Sequence, residues 1–365
     1  MTIDIFWNYF VKLYLNGYNM PNLLAASSHH TMVIRSDNSL WVCGGNKNGQ
    51  LGTGDYIDVF VPTKILQNVT YISAIGDHSM VILEDNTLWG FGSNRYGQIG
   101  DGTSTIYDKN NVILKNNDKN TPIKILDNVH TVSAGRFHTL AVKNDKTLWA
   151  WGYNKYGQLM DGTTIDRLSP VKVMDNVVEA FSGKYNSFVI LTDGTLLACG
   201  FNKYGHLGDG TIKNNLTPVK IIDNVKLVGA GIRHSVVLHA NGSALCFGDN
   251  KMFQLGNNSQ TAVYKPIKIM QDCTVITASG FHTLALNNDG SLFGWGCNNY
   301  HQIIDKPDKY IRKPIFIMDK VIDVCGGEYH SITVDMNGNY KCFGRNDCGQ
   351  LGNGKNTKSS KLVQW

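Results

Sequence analysis

One step length governs this chain. The dipeptide His-Ser/Thr occurs at His30, His78, His138, His234, His282 and His330, and Asn186-Ser187 fills the single gap. The intervals are 48, 60, 48, 48, 48 and 48 residues. Two further markers keep the same phase. One is a Gly-Gln-Leu-Gly element, intact or altered, beginning at Gly49, Gly97, Gly157, Gly205, Phe253, His301 and Gly349; the other is a proline at Pro62, Pro122, Pro170, Pro218, Pro266 and Pro314. A period of this length calls for a solenoid, propeller or array, in which each unit buries its apolar face against its neighbours.

The second repeat gives the grammar of the unit. Tyr71-Ile-Ser-Ala-Ile, Ser79-Met-Val-Ile-Leu, Thr87-Leu-Trp-Gly-Phe and Pro122-Ile-Lys-Ile-Leu read as four short strands. Asp or Asn followed by glycine at Asp193, Asn241, Asp289 and Asn337 predicts two-residue hairpins between the second and third strands. Proline is expected to open the fourth strand, at a sheet edge where a missing N–H is tolerated. Four antiparallel strands recurring seven times, with no helical segment between them, predict an all-β chain folded as a seven-bladed β-propeller. The expected repeats are about 22–69, 70–129, 130–177, 178–225, 226–273, 274–321 and 322–365.

Residues 1–21 precede the repeats and are expected to pack on the propeller through Phe6, Phe10, Leu13 and Tyr14, which lie at helical spacing. Membrane contact through residues 1–20 is the weaker reading, since the apolar run is too short to span a bilayer. Asp4 and Lys12 argue against a secretory signal. Eight cysteines without a Cys-x-x-Cys pair fit reduced core thiols and a cytoplasmic location. The net charge of +5 falls short of a nucleic-acid binder, so neither nucleic acid nor chromatin is an expected partner. A monomer is expected.

No phosphate-binding loop, metal-ligand spacing or nucleophile elbow occurs, and no catalytic residue, metal or cofactor is assigned. The phased histidines read as scaffold, each imidazole holding strand backbone, and Asn186 keeps hydrogen-bonding capacity without acid–base chemistry. The glutamines of the Gly-Gln-Leu-Gly elements read as amides tying down backbone. Trp41, Trp89 and Trp149 share one strand position and read as core aromatics.

Variation concentrates in two loops that open on one face of a four-stranded meander. The pair before each marker differs in every copy: Ser28/His29, Gly76/Asp77, Arg136/Phe137, Lys184/Tyr185, Ile232/Arg233, Gly280/Phe281 and Glu328/Tyr329. Mixed charge and aromatics near the central mouth of that face suit partner contacts, so Asp77, Arg136, Phe137, Lys184, Tyr185, Arg233, Phe281, Glu328 and Tyr329 are the candidate partner-binding residues. The second loop is 12 residues longer in repeat 2 than elsewhere, and Val112-Ile113-Leu114 within the insertion predicts a protruding hairpin.

The pattern Gly-x-x-His-Ser/Thr, Asp-Gly-x-Leu-x-x-Trp/Phe-Gly, Asn-x-x-Gly-Gln-Leu-Gly and Pro-x-x-Ile resembles the repeat of the regulator of chromosome condensation family, over about 340 residues. The resemblance implies a seven-bladed propeller and, among several family activities, guanine-nucleotide exchange on a small GTPase of the Ran or Rab type. Exchange factors of the family drive a hairpin from this loop against the nucleotide site, and Asp108, Lys109, Asn110, Asn111, Val112, Ile113 and Leu114 resemble that wedge. Here the Gly-Gln-Ile-Gly turn precedes the run rather than interrupting it. A non-catalytic scaffold, inhibitor or targeting module is the alternative the same fold allows.

Overall fold

Each unit folds as a four-stranded antiparallel meander. In the second, Val69–Ala74 pairs with His78–Leu83, which pairs with Leu88–Gly92, which pairs with the outermost strand Lys119–Leu126. The computed structural model, which describes residues 23–110, 112–357 and 359–364, contains seven such sheets. They span residues 24–66, 69–126, 129–174, 177–222, 225–270, 273–318 and 321–364. The first strand of every sheet lines a central channel, giving a seven-bladed propeller. The extension expected over residues 1–21 lies outside the described residues.

Apolar burial joins blade to blade. Met32, Val42 and Leu51 of blade 1 pack with Ile72, Val81 and Phe91 of blade 2, and blades 2 and 3 meet through Met80, Ile82, Val132 and Trp151. The pattern repeats around the ring, each neighbouring pair having its own cluster. The seventh joins Ile322, Ile332, Val334 and Leu351 of blade 7 to Leu24, Ala26 and Val33 of blade 1. No blade buries its apolar faces alone, as the repeat period requires. Among the described residues the ring therefore closes by face-to-face packing, with no strand shared across the seam.

The phased histidines link blades rather than strand backbone. The imidazole Nε2 of His30 lies 2.9 Å from Ser79 Oγ, that of His78 lies 3.0 Å from Thr139 Oγ1, and that of His138 lies 2.8 Å from Ser187 Oγ. His234 reaches Thr283, His282 reaches Ser331, and His330 reaches Thr31 across the seam. Each hydroxyl donates its own proton to a backbone carbonyl of the preceding blade: Ser79 to Gln50, Thr139 to Gln98 and Ser187 to Gln158. With the hydroxyl proton committed, Nε2 must be the donor, which fixes the tautomer. The expected contact with strand backbone is thus corrected to a side-chain relay between blades. Burial pushes these imidazoles down, to about 3 for His30 and about 4 for His78, so they are neutral.

Three smaller expectations also change. The turn between the second and third strands has three residues: Leu83 N–H bonds Thr87 O, Asn86 N–H bonds Leu83 O, and Asn86 adopts φ 61°. A type I turn followed by a left-handed residue matches this geometry. Proline is the fourth residue of Val59–Leu66 and Lys119–Leu126, not the first; it sits beside a register shift on the outer edge, where its missing N–H breaks no ladder. Trp41, Trp89 and Trp149 are half-buried, each indole N–H bonding a hydroxyl of its own turn. The core indoles are Trp151 and Trp295, which donate to the carbonyls of Gln98 and Gln254 in the preceding blade. All eight cysteines are free and six are buried.

Candidate functional site

The first inter-strand loop of each blade and the long loop between its third and fourth strands meet on one face. Gly45 N–H bonds His29 O, Ser93 N–H bonds Asp77 O, and Tyr153 N–H bonds Phe137 O, so each variable pair is tied to the start of its long loop. Glycine is required at Gly92, where φ is +104° and a Cβ would meet His78 Cα at 2.7 Å. The long loops are tied down by their own side chains. Asn94 Oδ1 accepts from Ile99 N–H while its amide donates to Asp101 and Thr103, and Gln98 Oε1 accepts from Tyr96 N–H.

At the centre of this face opens a cavity of about 210 Å³, lined at its mouth by Ser28, Arg136, Lys184, Ile232, Gly280 and Glu328. Glu328 crosses the mouth: its carboxylate accepts from Ser28 Oγ at 2.7 Å and lies 3.4 Å from the Arg136 guanidinium. Asp77 stands 3.4 Å from His29 Nδ1; burial alone would raise its carboxyl, but the bond to His29 and the charge of Arg136 hold it below the ordinary range. Arg233 lies 3.9 Å from Asp249 and over the rings of Tyr204 and Phe281. Tyr329 packs on Tyr300, with Arg345 over both rings.

The variable pairs also complete an aromatic belt that the sequence reading did not find. Phe137 stacks on Tyr185 with ring centroids 5.6 Å apart, Tyr96 meets Phe137 at 5.3 Å, and Tyr153 bridges Tyr96 and Tyr185 at 4.7 and 5.9 Å. Tyr156 and Phe201 extend the contact at 4.9 Å, and Tyr204 follows Phe201 at 6.1 Å. Seven half-buried rings thus run across blades 2 to 4. The long-loop tyrosines fall at one repeat position, Tyr96, Tyr156 and Tyr204, a signal visible in the sequence but hidden among residues read as turn scaffold.

The insertion in blade 2 forms a separate two-stranded hairpin, Ile106–Tyr107 with Ile113–Lys115. Asp108 caps its tip, accepting from the N–H groups of Asn110 and Val112. Val112, Ile113 and Leu114 are 58%, 50% and 67% exposed, an apolar surface left uncovered among the described residues. The base is tied to the belt by Arg95, whose guanidinium sits over both Tyr107 and Tyr96. Of the candidate wedge residues, Asn111 lies outside the described residues. Among the described residues no group of three or more His, Cys, Asp or Glu side chains could hold a metal ion, and no helix is long and apolar enough to cross a membrane.

Together these features define a seven-bladed β-propeller with a scaffold repeated in every blade and its individuality confined to one face. The chain belongs to the regulator of chromosome condensation (RCC1) repeat family: the repeat matches residues 37–82, 85–142, 145–190, 193–238 and 289–334. A second form of the same repeat matches 23–50, 69–98, 129–158, 225–254 and 274–302. Over 147 residues the chain is 27% identical to the ultraviolet-B receptor UVR8 of Arabidopsis thaliana, covering 40% of this chain and 32% of that protein, so it spans about a third of this relative's length. Among solved structures, yeast RCC1 (Prp20) bound to Kap60 superposes with a TM-score of 0.78 at 18% identity, over 94% of this chain and 84% of that one. Prp20p from Saccharomyces cerevisiae, described with its binding properties to Gsp1p and histones, gives 0.77 at 20% identity, over 89% and 85%. Human WBSCR16 gives 0.75 at 20%, over 89% and 94%. At such identities these likenesses establish the fold alone.

Proposed function

We propose that this propeller binds a small GTPase of the Ran or Rab type through its variable face and acts as a guanine-nucleotide exchange factor. The observation that carries the reading is the blade 2 hairpin, which presents Val112, Ile113 and Leu114 to solvent beside the ring of variable residues. Uncovered apolar side chains on an anchored hairpin suit insertion into a partner. Asp77, Arg136, Lys184, Arg233 and Glu328 would hold the GTPase while the tip, Asp108 to Leu114, displaces its phosphate-binding loop. No covalent chemistry is needed: exchange follows from tighter binding of the nucleotide-free state than of the nucleotide-bound state. The likeness to Prp20p, a protein characterised for its binding properties to Gsp1p and histones, supports the reading.

The test is release of a fluorescent guanine nucleotide from a panel of small GTPases by substoichiometric propeller. Replacing residues 109–115 by a short Gly-Ser turn should abolish stimulated release, with binding to the nucleotide-free GTPase weakened but retained. Unimpaired release after the replacement, or no binding in any nucleotide state, would reject exchange and leave a non-catalytic interaction module.

A further inference from the structure

Two cations from consecutive blades line the channel mouth, Arg136 of blade 3 and Lys184 of blade 4, and Arg233 of blade 5 adds its charge beside them. The carboxylates of the same loops are already engaged, Glu328 by Arg136 and Ser28, and Asp77 by His29. Lys184 forms no ion pair among the described residues; its ammonium lies 5.4 Å from the centroid of the Tyr185 ring, at the cavity lining. Burial holds this ammonium below its ordinary value, and the charges of Arg136 and Arg233 add to that while Glu328 opposes it. A half-buried cation with no carboxylate paired to it among the described residues, beside Arg136, which faces Glu328, and Arg233, which faces Asp249, gains from an anion delivered by a partner.

We propose that the channel mouth is an anion site that receives a glutamate or aspartate side chain of a polypeptide, with the aromatic belt gripping the apolar residues that flank it. The occupant is an acidic peptide segment, on three grounds. The free cation supplies the charge complement. The cavity, at about 210 Å³, takes one carboxylate side chain. The belt offers half-buried tyrosine and phenylalanine with arginine at hand, the composition of protein-binding hot spots. Single-stranded nucleic acid is the poorer fit, because bases need parallel, open ring faces. Here most neighbouring rings meet at 51° to 78°, and Arg136, Lys184 and Arg95 cover faces of Phe137, Tyr185 and Tyr96. The site does not depend on the partner being a GTPase.

The experiment measures fluorescence anisotropy of the full chain with three labelled probes at low salt: a short glutamate-rich peptide carrying leucine and tryptophan, its glutamine counterpart, and an oligothymidylate of equal charge. The glutamate peptide should bind about tenfold more tightly than the glutamine one, the equivalent of one charge-assisted hydrogen bond. Lys184→Met, which keeps the aliphatic stem, should erase that preference, while Tyr156→Ser should weaken both peptides alike; thermal melts confirm that each variant is folded. Equal binding of the two peptides, an undiminished preference in Lys184→Met, or tighter binding of oligothymidylate would overturn the proposal. None of these outcomes involves nucleotide release, so failure here is separable from failure of the exchange reading.

Discussion

Asn186 stands where six other blades place a histidine, yet its amide makes no hydrogen bond to Ser235, the hydroxyl that an imidazole there would reach. Ser235 still donates to His206 O, so the backbone half of the link survives and the side-chain half is lost. The site retains room for a ring: Gly183 leaves open the space beside Asn186 that Gly135 leaves beside His138.

Asn186→His should therefore close the relay and stabilise the fold by about 0.5–1.5 kcal/mol, the net worth of a typical intramolecular hydrogen bond. In the opposite direction, His78→Asn should cost about 1–3 kcal/mol, because the shorter amide leaves Thr139 without its partner. The sequence alone suggests that asparagine substitutes harmlessly; the geometry reverses that expectation. Urea titrations of the two variants decide between them.

Acid should unfold the ring abruptly. His30, His78, His138, His206, His234, His282 and His330 are pushed down to about 3 or 4, against 6.5 in an unfolded chain. Between those values the unfolded chain binds more protons, so stability is full above pH 6.5 and falls as the pH drops. At about pH 5.5 each histidine has withdrawn roughly 1.4 kcal/mol, and seven together approach a typical domain's whole stability of about 5–15 kcal/mol. An acid midpoint between about pH 5 and 6 is expected by circular dichroism; constant urea stability from pH 7 to pH 5 would refute the assignment of neutral, buried imidazoles.

The two kinds of tryptophan should separate cleanly. Trp295→Ala empties a site in the cluster joining blades 5 and 6 and removes one of the two donors to Gln254 O, leaving Thr283, at a cost of about 3–5 kcal/mol. Trp41→Ala removes a half-buried ring beneath Arg35, 3.8 Å from its centroid, and should cost about 1 kcal/mol. Melting temperatures of the two variants test the order.

The blade 2 hairpin should be separable from the scaffold. Among the described residues its two strands pair only with each other, and Arg95 ties it to the belt. Arg95→Ala should raise amide exchange across residues 106–115 while the seven blades keep their protection. Uniform loss of protection would mean that the hairpin is part of the core.

What the sequence could reveal followed from its period. The strands recur every 48 residues, or 60 across the second repeat, and the outer-edge proline in six of the seven copies, so the copies average out the ambiguity of any one. Even the relay was written in the marker dipeptide, but its halves serve different neighbours: Ser79 accepts from His30 of the blade before, and His78 donates to Thr139 of the blade after. The belt was illegible for the opposite reason. Tyr96, Phe137, Tyr153 and Tyr185 come from two kinds of loop in three blades, and only the curvature of the ring brings them together. The insertion announced itself by its length, while its anchor, Arg95, lay outside the inserted residues.

The joint between blades 7 and 1 has every part found at the joints between blades 1 and 2, 2 and 3, and 5 and 6: an apolar cluster, an imidazole–hydroxyl link (His330–Thr31) and a backbone bond, from Gly354 N–H to Phe60 O. No described strand crosses it, so this joint is as complete as those three. Joining residue 364 to residue 23 through a short linker and reopening the chain at any other blade boundary should give circular permutants with the same fold, differing chiefly in which joint forms last.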